Sequence, residues 1–128
     1  MPKAKSLERA AGAGELALLP LTPLAFEILL ALGAGERHGY DILRSIDARS
    51  GGRVAPHPGT LYRAIARLLE DGLIEEREER PVPELDDARR RYYGVTRRGL
   101  QVTRAEAGRL ESQLGAARRM LRRARPAS

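Results

Sequence analysis

Apolar residues recur at helical spacing from Leu21 onward: Leu21, Leu24, Ala25, Ile28, Leu29 and Leu32 form one stripe. Thr22 stands where a cap belongs, and Pro23 at the first helical position, where its missing N–H had no partner to lose. A first helix is therefore predicted from Thr22-Pro23, ended by Gly33 and Gly35. A second is predicted from about Gly39 to Arg49, with Ile42, Leu43 and Ile46 inside and Asp41, Arg44, Asp47 and Arg49 outside. Ser50-Gly51-Gly52 stops it, and in the connection 53–57 Val54 is expected to make a strand bridge. The third helix runs from Pro58 to about Asp71, with Leu61, Ile65, Leu68 and Leu69 inward and Gly72 at its end. Thr60, Arg63 and Arg67 share its opposite face at i, i+3 and i+7, with Tyr62 beside them.

The period then shortens. Residues 73–80 and 89–96 are predicted as strands, the second rich in aromatic and β-branched residues. Alternation puts Arg91, Tyr93 and Val95 on one side, with Tyr93 toward the core, and Arg90, Tyr92 and Gly94 on the other, where Tyr92 is expected to line the hairpin or a subunit contact. Residues 81–88 (PVPELDDA) form a tip too long for a tight turn. Helical spacing returns from Arg97 to about Arg123, with Thr96 as cap. Leu100, Thr103, Ala107, Leu110, Leu114, Ala117 and Leu121 alternate steps of three and four, an a/d seam. So polar a helix buries little alone and needs a partner. Leu100, Ala107, Leu110, Leu114, Ala117 and Leu121 are the expected dimerisation residues. The chain divides into an arm or short helix (1–20), a compact domain (21–96) and a dimerisation helix with a basic tail (97–128).

Composition narrows the chemistry. The chain has 128 residues, enough for one modest core. It has no cysteine, which excludes disulfides and thiolate sites. His38 and His57, on different elements, make a poor metal site; no metal or cofactor is expected. No nucleophile–base pair or phosphate loop is present, so an enzyme is not expected. The apolar stretch from Leu16 to Gly35 mimics a signal segment, but Pro20, Pro23 and Glu27 interrupt it. A cytoplasmic protein with no membrane partner is the expectation. The net charge of +6 is unevenly placed: residues 97–128 hold nine arginines against Glu106 and Glu111, while the rest is close to neutral. Such a surplus suits a polyanion partner or a solvated helix face.

Three helices, a hairpin and a long helix follow the order of a winged helix-turn-helix. In that arrangement the third helix offers Thr60, Arg63 and Arg67 to a DNA groove, and the last helix pairs with a second copy. The residues themselves resemble a family. His38-Gly39-Tyr40-Asp41-Ile42, Pro58-Gly59-Thr60-Leu61-Tyr62-Arg63, Leu68-Leu69-Glu70-Asp71-Gly72-Leu73-Ile74 and Arg91-Tyr92-Tyr93 leading to Thr96 occur in the order seen in PadR transcriptional regulators. The resemblance covers about residues 21–105. It implies a mainly α, winged-helix homodimer held by its C-terminal helix, which represses from a palindromic operator on double-stranded DNA. In some members a phenolic or hydrophobic effector releases the DNA.

Within that frame Thr60, Arg63 and Arg67 are the expected groove contacts, arginine being able to fork onto guanine. Tyr62 reads as a half-buried ring with its hydroxyl on a phosphate, or as core. Tyr40, at a helix start, suits a phosphate or packing. His57 stands where relatives place a small polar cap; imidazole can cap or touch a phosphate there. The hairpin is acidic at Glu84, Asp86 and Asp87, with four glutamates in its first strand, so Arg89 and Arg90 are its expected DNA contacts. His38 reads as a turn or capping residue. Phe26 lies off the main stripe and is the candidate for an effector pocket or partner contact, with core packing the alternative. The family's drug-binding members use tryptophans at the dimer interface, and this chain has none. A rival reading is a protein-interaction module using the acidic hairpin and the basic last helix, with DNA incidental.

Overall fold

The computed structural model describes residues 12–33, 35, 37–78 and 91–127. In chain order the elements are α1 (Ala13–Leu16), α2 (Pro23–Leu32), β1 (Arg37–His38), α3 (Gly39–Ser50), α4 (Pro58–Glu70), β2 (Ile74–Arg77), β3 (Tyr92–Val95) and α5 (Arg97–Arg123). Residues 21–100 form one compact unit; residues 101–128 fall, with the segment up to Pro20, in another.

The helices of the first unit begin and end where side-chain chemistry dictates. The Thr22 hydroxyl accepts the Ala25 N–H at 3.1 Å ahead of Pro23, as expected. His38 caps α3: Nδ1 accepts the Asp41 N–H at 3.3 Å, while Nε2 lies 3.0 Å from the Asp41 carboxylate. The His38 side chain thus satisfies one of the unpaired amides of the first turn of α3. At the other end Gly51 takes φ +63°, a left-handed stop that suits glycine.

The core is built from Ile28, Leu29 and Leu32 of α2, Ile42 and Ile46 of α3, and Leu61, Ile65 and Leu68 of α4, all buried. α2 packs on α3, α4 and β3, and α3 on α4. An antiparallel sheet of order β1-β3-β2 joins them, in the registers His38↔Tyr92 and Ile74↔Val95. A salt bridge between Arg49 and Glu27 links α3 to α2.

Two expectations change. Val54 makes no strand bridge; its N–H donates to the Ser50 hydroxyl at 3.0 Å, which already satisfies the turn. The third strand is instead β1, two residues long, which no periodicity announces. Tyr92 does not face outward: it is as buried as Tyr93, because β3 is the middle strand and the His38 ring stands edge-on against it at 5.3 Å. Burial pushes the Tyr93 hydroxyl pKa up, and Glu76 adds to the shift. The predicted hairpin tip, 81–88, lies outside the described residues.

The start of α5 is tied to the end of α4. The Thr96 hydroxyl accepts the Gly99 N–H at 3.0 Å and donates to the Gly72 carbonyl at 2.7 Å. Gly99 sits so close that a Cβ there would lie 2.1 Å from the Leu73 carbonyl oxygen. In a helix interior alanine normally outperforms glycine; here the backbone contact reverses the sign. Gly99→Ala is expected to lower stability by about 1–3 kcal/mol, read as a shifted urea midpoint with an unchanged m-value.

Candidate nucleic-acid interface

α4 has two unlike faces. Leu61, Ile65 and Leu68 are 1–2% exposed, and Thr60, Arg63 and Arg67 stand on solvent. Burial of one face sets the helix's rotation, so the other is displayed. Pro58 opens α4, and its N-cap residue His57 is exposed and makes no side-chain capping bond, contrary to one of its expected roles. Gly59 leaves the first turn bare: among the described residues beyond its chain neighbours, only the Arg63 guanidinium, at 3.6 Å, lies near the place of its missing Cβ. Arg63 donates to the Thr60 hydroxyl at 3.3 Å, and Arg67 lies 3.5 Å from Asp71. Both arginines are held loosely, Arg63 by an exposed hydroxyl and Arg67 by a partly exposed carboxylate, and such contacts exchange readily for a stronger acceptor.

Tyr62 is 50% exposed and lies against the start of α3. A Cβ on Gly39 would stand 2.4 Å from the Tyr62 hydroxyl oxygen and 2.7 Å from the ring carbon that bears it. Gly39 is thus the seat of the Tyr62 ring. The neighbouring Tyr40 projects outward, 60% exposed, with the Arg44 guanidinium 5.8 Å from its ring centroid. His38, Gly39 and Tyr40 therefore do three different jobs: one caps α3, one seats a ring of α4, and one faces solvent with an arginine on it. The seat at Gly39 and the Arg44–Tyr40 pair were not anticipated. Of the two, only the i, i+4 spacing of Tyr40 and Arg44 is visible in a sequence.

The face of α4 and the start of α3 thus bring Thr60, Tyr62, Arg63, Arg67, His57 and Tyr40 onto one compact unit. Arg89 and Arg90 lie outside the described residues. Phe26 is partly exposed and lines neither of two grooves on this unit. The smaller groove, about 230 Å³, is bounded by Tyr40, Leu43, Arg44, Asp47, Ala55 and Pro56. No group of three or more metal-ligating side chains occurs among the described residues.

Along α5 the expected seam stays open: Leu100, Leu110, Leu114 and Leu121 are 37–68% exposed, Ala117 is exposed and Ala107 partly so. The buried side chains, Val102, Ala105 and Glu106, lie on a different face. Glu106 takes a two-pronged ion pair from Arg109 at 2.6 and 3.1 Å, and this hydrogen bonding raises the Arg109 pKa. No described helix is long and apolar enough to cross a membrane.

This is a winged-helix architecture with an exposed polar face on its third main helix. The model of the Transcriptional regulator PadR-like family matches residues 28–105, and the chain belongs to that family. It is 35% identical over 72 residues to the Transcriptional regulator YqjI of Escherichia coli K12, covering 56% of this chain and 31% of that protein. It is 36% identical over 80 residues to an uncharacterized 37.1 kDa protein in transposon TN4556 of Streptomyces fradiae, covering 62% and 21%. The matches thus span less than a third of these curated relatives. Among solved structures, a transcriptional regulator from Clostridium thermocellum superposes with a TM-score of 0.64 at 25% identity, over 75% of this chain and 87% of that one. The complex structure of hsRosR-S4 gives 0.59 at 28% identity, over 80% and 79%. A PadR family regulator from Clostridium difficile gives 0.63 at 21% identity, over 78% and 99%, a likeness of fold.

The seat at Gly39 is testable without any ligand. Gly39→Ala should cost about 1–3 kcal/mol by displacing the Tyr62 ring, and most of that cost should vanish in a Tyr62→Ala background. A double-mutant cycle by urea unfolding reads the coupling; equal costs in both backgrounds would remove Tyr62 from the explanation.

Proposed function

We propose that this chain is a cytoplasmic transcriptional repressor that binds a palindromic operator on double-stranded DNA as a homodimer. α4 of each copy enters the major groove of one half-site, where Arg63 and Arg67 reach base edges and Thr60 a base or phosphate. Tyr62, Tyr40, His57, Arg89 and Arg90 hold phosphates, which sets register without reading sequence. The single observation that carries this reading is the display of Thr60, Tyr62, Arg63 and Arg67 on the solvent side of a helix whose opposite side buries Leu61, Ile65 and Leu68 and half-buries Leu69.

One such unit grips too few bases for useful specificity, so a second copy is needed. The open leucines of α5 supply the surface: Leu100, Leu110, Leu114 and Leu121, with Ala107 and Ala117 between them, close against the same helix of the partner. The alanines leave that seam thinly filled. A small hydrophobic or phenolic effector lodged near it, with Phe26 as a contact, would act by favouring one spacing of the two α4 helices over another.

Selection of bound sequences from random duplex DNA tests the proposal. A two-fold symmetric motif is expected; an absence of sequence preference would favour a protein-binding role. On the selected duplex, Arg63→Ala and Arg67→Ala should each retain the fold, and the one that forks onto a base should lose about 1–3 kcal/mol of affinity with relaxed preference at one position. Leu114→Glu/Leu121→Glu should sediment as a single subunit and lose most of its affinity for the full site. A variant that remains dimeric would move the interface elsewhere.

A further inference from the structure

The arginines of this chain fall into two populations. Every described arginine from Arg37 to Arg91 has a partner: a carboxylate for Arg49, Arg67, Arg77 and Arg91, a carbonyl for Arg37 and Arg53, a hydroxyl for Arg63, a ring for Arg44. Along α5 the pattern thins: Arg109 pairs with Glu106, Arg97 and Arg104 are exposed with no carboxylate partner among the described residues, and from Arg118 onward every arginine is of this kind. Arg118, Arg119, Arg122, Arg123 and Arg125 are all exposed and pair with no acidic group among the described residues. No acidic residue follows Glu111 anywhere in the sequence.

This arrangement works against the helix that carries it. Arg118 and Arg122, and Arg119 and Arg123, are like charges one turn apart, a spacing that destabilises. The helix dipole favours cations in the last turn, which covers Arg122 and Arg123 but not Arg118 or Arg119. A merely solvated face alternates its charges, as Asp41, Arg44, Asp47 and Arg49 do on α3. A run of uncompensated arginines is instead matched by a partner that brings the negative charge.

The form of the patch narrows that partner. At 100° per residue Arg118, Arg119, Arg122 and Arg123 spread over about 140° of the helix circumference, beside the arc that holds Leu114 and Leu121, and Arg125 follows just past the last helical residue. Lipid would need that apolar arc, which the proposed pairing of α5 consumes. What remains is a broad, wholly cationic, forked-donor surface, which suits closely spaced phosphates. We infer that the arginine-bearing end of α5 is a second DNA-binding surface, one that holds duplex backbone outside the bases read by α4. This extends the DNA-binding reading, but it does not require sequence specificity.

The test compares the full chain with Arg118→Gln/Arg119→Gln/Arg122→Gln/Arg123→Gln, glutamine keeping good helix propensity, and with the matching all-Lys variant. Binding to a long duplex of arbitrary sequence is followed across a salt series, with circular dichroism and sedimentation as controls of helix and dimer. The Gln variant should bind about tenfold more weakly at low salt, its log–log salt slope shallower by about 0.9 for each phosphate released; the Lys variant should keep the steep slope. If the fourfold variant loses its dimer, the pairs Arg118→Gln/Arg122→Gln and Arg119→Gln/Arg123→Gln are read instead. Trimming the flanks removes the difference if the arginines hold the same duplex; two duplexes per dimer in sedimentation place them on a second one. An unchanged slope overturns the inference. So does loss of binding to phosphatidylglycerol vesicles with DNA binding intact. A chain that prefers no sequence, yet loses slope on the Gln substitutions, refutes the operator reading and leaves this surface standing.

Discussion

Everything the candidate interface can do depends on the burial of Leu61, Ile65 and Leu68. These side chains are almost wholly removed from water against α2 and α3, and each contributes on the order of 1.5–3 kcal/mol to holding its face inward. Rotating α4 by even one residue would expose part of that stripe and bury an arginine. The hydrophobic term therefore sets the direction of the polar groups opposite, and Thr60, Arg63 and Arg67 need no further device to stand outward. Their weak ties to Thr60 and Asp71 reduce the conformational freedom of the guanidinium groups without trapping them.

A second constraint acts at the junction of α3 and α4. The His38 ring closes the cap of α3 and leans on Tyr92 of the middle strand, and the next residue, Gly39, leaves the room in which the Tyr62 ring rests. Sheet, α3 and α4 thus meet within two consecutive residues. Substitutions there act through Tyr62 and the cap, not through loss of apolar area.

Much of the fold was legible in the sequence. The four long helices begin and end within a residue or two of the predicted positions, because strong 3.6-residue periodicity coincides with Thr22, Pro23, Pro58, Gly33, Gly51 and Thr96 at their termini. The exposed face of α4 was readable for the same reason. What was not legible depends on partners distant in the chain. β1 is too short to have a period and exists because Tyr92 and Tyr93 pair with it. Strand alternation assumed one wet face for Tyr92, whereas His38 covers it. The contact of Gly39 with Tyr62 joins residues on different helices, and neither residue type signals it. His57 looked able to close the first turn of α4; in the fold its side chain makes no capping bond.

The brevity of β1 has a mechanical consequence. β3 is stitched on one edge to β2 and on the other to two residues that run without a break into α3. A torque on the β2–β3 ribbon has a short lever arm to the His38 ring and the first turn of α3, and little compliant backbone to absorb it. Load on the ribbon therefore reaches the seat of Tyr62 as well as the interior that β3 shares with α2, so strain at the sheet and the posture of α4 are geared together.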